Sequence, residues 1–181
     1  MSKLPAPRKT SRWRRWILEI VIFTALFIGF QMWQLRDTTR GPLPHFHGPL
    51  LDGSRFDSAA WRRQHPDRAL LIYFWADWCP ICKTTAASVS SLAEDQVLIT
   101  IATQSGDAAA LSRFMSENGY RWPTLNDPQG IFMKTFGIPG TPAFVIIAPD
   151  GNIRFVTVGY TSEIGLCLRL WWANRTTGSS T

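Results

Sequence analysis

Two continuous apolar runs stand out along the chain: "ALLIYFWA" at 69–76 and "VLITIAT" at 97–103. Runs of this length, unbroken by polar residues, predict central strands buried on both faces. Between them, 80–94 turns to Ala, Ser, Leu and Lys and predicts a helix. "GDAAALSRFMSENG" predicts a second helix, with Asp107 as its N-cap and Gly119 past its end. "PQGIFMKTFG" reads as a shorter helix, and "AFVIIAPDGNIRFVTVGY" as two strands turning at Asp150-Gly151. "SEIGLCLRLWWANR" reads as a closing amphipathic helix, with Cys167 on its apolar face as a small core residue. Strand, helix, strand, helix, then a hairpin and a helix describe an α/β domain with a mixed sheet.

A third apolar stretch, "WILEIVIFTALFIGFQMWQL" at 16–35, has no polar face. As a helix rising about 1.5 Å per residue it would reach roughly 30 Å, one hydrocarbon thickness. Its tryptophans at 13, 16 and 33 stand where an interfacial belt is expected. "QMWQLRDTTRG" offers no small-x-small cleavage site, so an uncleaved anchor is expected rather than a removed signal peptide.

Charge sharpens that picture. The formal net charge is +6, and residues 1–40 hold eight Lys or Arg against Glu19 and Asp37, which accounts for all of it. The remaining residues sum to zero, so no nucleic-acid partner is implied. Basic residues concentrated before the apolar stretch place the N-terminus in the cytoplasm and the bulk of the chain outside. The expected organisation is a basic cytoplasmic segment at 1–15, a transmembrane signal anchor at 16–35, a linker at 36–45, the α/β domain at 46–174 and a tail at 175–181. In a bacterium this is a single-pass inner-membrane protein whose domain faces the periplasm.

The chemistry sits in "YFWADWCPICKTT", 73–85. Cys79 falls where the first buried strand ends and a helix begins, among unpaired N–H groups at the positive end of the helix dipole, which favours thiolate. Pro80 suits the first helical turn, which does not need its missing N–H. Cys82 lies one turn up on the same face, close enough to form a disulfide. An exposed, activated Cys79 and a shielded Cys82 form the arrangement that thiol–disulfide exchange requires. A structural zinc site would need Cys167, His45, His47 or His65 to complete it, and their spacing is unsuitable. Two thiolates also suit Cu(I), so a thiolate copper-binding module is the competing reading. A purely structural disulfide closing so short a loop would contribute little stability.

"FWADWCPICK" resembles the active-site segment of the thioredoxin superfamily, and "FGIPGTPAFVIIAPDGNI" resembles that superfamily's cis-proline loop. "FHGPLLDGSRFD" ahead of them gives a frame similar to the membrane-anchored TlpA/ResA/DsbE branch, and within it the suppressor-of-copper-sensitivity D type. The resemblance implies a thioredoxin fold and a protein-disulfide oxidoreductase, with Cys79 as nucleophile and Cys82 as resolving thiol. It implies that Pro142 is cis, that Thr141 offers a backbone edge to substrate, and that Trp78 shields the disulfide and presents apolar surface to partners. No metal or organic cofactor is implied; the partners are extracytoplasmic protein thiols and disulfides and a transmembrane electron donor, in a setting of copper or redox stress. Two positions depart from related patterns. Tyr73 stands where cytoplasmic thioredoxins carry a buried Asp, and Thr85 and Ala87 replace the Glu and Pro common in reductants of cytochrome maturation. The peroxidatic context of peroxiredoxins and the wider cysteine spacing and downstream histidine of Sco-type copper proteins are absent.

Overall fold

The run at 69–76 becomes the central strand. A computed structural model describes residues 12–34 and 41–175. The chain divides into two units, 1–36 and 37–181.

The first unit contains helix α1 (Arg12–Gln34), 23 residues long. Its apolar side chains at Trp13, Trp16, Ile17, Leu18, Ile20, Phe23 and Leu26 are exposed. Among the described residues, no helix is long and apolar enough to cross a membrane. The side chains at 12, 27, 28 and 30–34 and the whole of residue 35 lie outside the described residues, as do 1–11, the first half of the expected linker and the last six residues.

The second unit runs through β1 (Gly41–Pro42), β2 (His47–Pro49), β3 (Arg55–Asp57), α2 (Ser58–Gln64), β4 (Leu70–Trp75), α3 (Pro80–Asp95) and β5 (Leu98–Thr103). It continues through α4 (Ala108–Glu117), β6 (Thr124–Asp127), α5 (Ile131–Thr135), β7 (Ala143–Ile147), β8 (Asn152–Val158) and α6 (Glu163–Arg175). Six strands form one sheet in the order β1-β8-β7-β4-β5-β6, and β2 and β3 form a separate hairpin. β4, β5 and β6 are parallel, whereas β7 is antiparallel to both β4 and β8. The sheet is therefore mixed, as the sequence pattern predicts.

β4 is buried at all six positions, because its side chains alternate between two core layers. Leu71, Tyr73 and Trp75 belong to the layer that also holds Cys79, Cys82, Ala86, Val89, Leu166 and Leu170. Leu70, Ile72 and Phe74 belong to the opposite layer, with Phe46, Phe56, Phe136 and Val145. Truncating such a side chain to Ala costs about 2–5 kcal/mol, so this strand tolerates little substitution.

The predicted caps form: the Asp107 side chain accepts from Ala110 N–H at 2.8 Å, and Gly119 takes a φ of +71°. α6 differs from expectation. Leu166, Leu170 and Ala173 make its buried row, while Ile164, Leu168, Trp171 and Trp172 are exposed. Cys167 is exposed as well, not a core residue, because the apolar residues of α6 surround the helix and only one row can face the sheet.

Candidate active site

β4 ends at Trp75, and the following turn delivers Cys79 to the N-cap of α3, with backbone φ −85° and ψ 111°. Pro80 occupies the first helical turn. Cys79 and Cys82 are joined by a disulfide, with Cα atoms 5.3 Å apart. Cys79 Sγ accepts from Cys82 N–H at 3.2 Å, so a helix-start donor faces the sulfur as the sequence predicts. In the reduced state the same donor and the helix dipole would favour thiolate.

One expectation changes. Cys79 is only 4% exposed, against 3% for Cys82, so in the disulfide form neither cysteine lies open. The cover comes from far along the chain. The Thr141–Pro142 peptide is cis, and the Thr141 carbonyl oxygen lies 3.7 Å from Cys79 Sγ. β7 follows directly, and its antiparallel register places Ala143 opposite Phe74 and Phe144 opposite Tyr73. That pairing carries the proline loop to the start of α3.

Trp78 is placed differently from a lid. It is 60% exposed, with its indole N–H donating to the Gln104 carbonyl at 2.9 Å and its backbone N–H to Asp77 Oδ1 at 2.8 Å. Ile81 is 49% exposed. Together with the proline loop these residues border the disulfide with apolar surface. Gln104, at φ +50°, was not singled out from the sequence; the neighbouring Ser105-Gly106 turn is the only local sign of that bend.

Under Cys82 the surroundings are polar and closed. Tyr73 OH lies 2.9 Å from Thr85 Oγ1, and Thr85 donates to the Cys82 carbonyl at 2.9 Å. Tyr73 therefore donates to Thr85, and also approaches the Cys82 carbonyl at 3.4 Å. Its ring stacks on Phe144 at 4.8 Å and meets Trp122 edge-on at 5.9 Å. Burial pushes the Tyr73 hydroxyl up to about 12, against a smaller opposing effect of the Thr85 hydrogen bond. The phenol is thus neutral at any physiological pH, and the network ends on a carbonyl rather than a sulfur. The sequence shows Tyr73 and Thr85 as two separate replacements, and their pairing comes from the fold; the need of a buried Tyr for a partner is the signal that connects them.

The residues weighed for zinc do not gather at the cysteine pair. His65 stacks on Trp61 at 4.9 Å and contacts its carbonyl at 3.1 Å. His45 and His47 lie at the β2–β3 hairpin, and Cys167 lies on α6.

Comparison with known proteins agrees with this geometry. The family model described as Redoxin matches residues 39–164. A thioredoxin-like protein of Haemophilus influenzae is 36% identical over 124 residues, 68% of this chain and 72% of that one. The thiol:disulfide interchange protein DsbE of Pseudomonas fluorescens biotype C is 30% identical over 125 residues, 68% of each chain. Among solved structures, a secreted Mycobacterium tuberculosis disulfide oxidoreductase homologous to Escherichia coli DsbE superposes with a TM-score of 0.59 at 30% identity, over 70% of this chain and 95% of that one. With its mixed sheet, its Cys79–Cys82 disulfide and its proline loop, the chain belongs to the redoxin family, among the DsbE-like disulfide oxidoreductases of the thioredoxin superfamily.

Proposed function

We propose that the chain reduces disulfides of extracytoplasmic proteins through Cys79 and Cys82, and is held at the bacterial inner membrane by its N-terminal helix. The observation that carries the reading is the position of Cys79 Sγ, which has the Cys82 N–H at 3.2 Å on one side and the Thr141 carbonyl at 3.7 Å on the other. The first contact stabilises developing thiolate; the second puts the Thr141 backbone beside the sulfur, where an extended substrate strand can pair.

In the forward direction, the Cys79 thiolate attacks one sulfur of a substrate disulfide. The Cys79–substrate S–S bond forms, and the substrate's other sulfur leaves as thiolate. Cys82 then loses its proton and attacks Cys79 Sγ, which closes the Cys79–Cys82 bond and releases the second substrate thiolate. Two electrons have passed to the substrate. They are restored by exchange with a membrane redox partner, since no cytoplasmic reductant reaches the domain. Trp78, Ile81 and Thr141 bind substrate, and Pro142 holds the Thr141 edge in place.

The proposed anchor rests on the apolar run at 16–35, which extends past the described part of α1, and on the basic residues ahead of that run. The domain organisation follows, with 1–15 cytoplasmic, 36–45 linking, its β1 paired to the edge of the domain's sheet, and 46–174 catalytic. The copper or redox-stress setting is part of the same proposal.

The test is the reduction potential of the pair in the detergent-solubilised chain, together with trapping in a Cys82→Ser variant. A value near about −270 mV and a mixed disulfide on Cys79 support the reductant; about −120 mV would make it an oxidant. Failure to form either the internal or the mixed disulfide, with stoichiometric Cu(I) uptake by the thiols, would replace exchange by copper binding.

A further inference from the structure

The β2–β3 hairpin carries a group of donors that disulfide exchange does not use. In "HFH", 45–47, Phe46 is buried and meets Phe132 and Phe136 edge-on at 5.8 and 5.6 Å. Side chains alternate along an extended segment, so His45 and His47 face outward together, their ring centroids 5.4 Å apart. The hairpin register sets His47 opposite Asp57, and Asp57 Oδ2 lies 3.3 Å from His45 Nε2. One donor atom from each of the three residues lies within 4.8 Å of the other two.

The backbone beneath these donors is fixed. Phe46 N–H donates to Ser58 Oγ at 3.1 Å, and Ser58 N–H returns a bond to the Phe46 carbonyl at 3.0 Å. Gly48 is pressed so close to the core that an added Cβ would stand 2.8 Å from Leu125. Asp57 is oriented by its capping bond, in which Oδ1 accepts Ala60 N–H at 2.7 Å. That bond uses Oδ1 and turns Oδ2 towards His45 Nε2, the contact an ion between them would replace.

We propose that His45, His47 and Asp57 form a mononuclear site for a divalent late-transition ion, with water completing the coordination. Two ligands held about 2.0–2.1 Å from one metal stand roughly 2.9 Å apart at square-planar angles and 3.3 Å at tetrahedral ones, so the 3.3 Å between His45 Nε2 and Asp57 Oδ2 needs little or no adjustment. Two imidazoles and a carboxylate, with no thiolate, suit Cu(II), Ni(II) or Zn(II), and Cu(II) is held most tightly among them. The site is separate from any thiolate chemistry, because Phe46 and Phe56 anchor the hairpin in the core layer opposite the one holding Cys79 and Cys82.

The full chain in detergent, with its disulfide oxidised and Cys167 alkylated, is titrated with Cu(II) against a competing chelator and followed by electron paramagnetic resonance. The expected result is one ion per chain with hyperfine coupling from two nitrogens. Affinity falls about tenfold or more in each of His45→Ala, His47→Ala and Asp57→Asn. Asn keeps the α2 cap, and unchanged disulfide exchange shows that each variant is folded. His65→Gln, outside the site, leaves affinity unchanged. No binding by the parent chain, an unchanged affinity in any of the three variants, or a loss in His65→Gln overturns the proposal.

Discussion

Beneath Cys82, Tyr73 and Thr85 are enclosed and hydrogen-bonded to each other; beside Cys79, Trp78 and Ile81 are exposed. Both regions touch the same turn of chain, yet they answer to different demands. A polar group in the closed floor must have a partner, since an unpaired buried donor costs about 1–3 kcal/mol. An apolar ring on the rim has no such requirement and remains available to a partner protein. The contrast teaches that substitutions in the floor should register as stability, and substitutions on the rim as substrate recognition.

The sulfurs lie between the two regions, and changing them has the largest effect. Cys79→Ser should abolish disulfide exchange, while Cys82→Ser should retain the first attack and accumulate mixed disulfide with a model protein substrate. Non-reducing electrophoresis distinguishes the two outcomes.

The floor is tested next by alkali. Tyr73 has its ionisation raised from 10.0 to about 12 in the folded chain, so the native state holds this proton more tightly than the unfolded state. Its contribution is complete below pH 10 and is lost as pH rises from 10 towards 12. The loss amounts to about 2–3 kcal/mol by the upper end. Denaturant unfolding across that range should show the fall in the parent chain, and a Tyr73→Phe chain should show a correspondingly shallower slope. Equal slopes would mean the hydroxyl is not enclosed.

Thr85→Val removes the link between Tyr73 OH and the Cys82 carbonyl while keeping the volume. It should cost about 1–3 kcal/mol in the denaturant midpoint. Trp78→Ala should have the smallest effect on stability, under about 1 kcal/mol, because most of the ring is already in water. It should instead raise KM for a protein substrate and leave turnover of a small dithiol or disulfide unchanged. A large stability loss in Trp78→Ala would erase the distinction between rim and floor.

Legibility in the sequence followed the range of the interactions. The β4–α3 junction and the Asp107 cap could be read because run length, capping residue and Pro at a helix start act over a few neighbouring residues. The β2–β3 hairpin could not: its strands are three residues each, and "HGP" and "RFD" carry no alternation long enough to register. α6 was recognised as a helix, but its exposed side was not, since Ile164, Leu168, Trp171 and Trp172 are as apolar as the residues that pack.

The sequence alone determined that a buried strand runs into a helix bearing two cysteines one turn apart, because strand burial and helix initiation are dictated by local residue types. Only tertiary structure decided that Cys79 is covered, that Tyr73 pairs with Thr85, and that His45 meets Asp57. Those contacts come from strand register and layer packing, which bring residues together across 62 positions for Cys79 and Thr141 and 12 each for Tyr73 with Thr85 and His45 with Asp57.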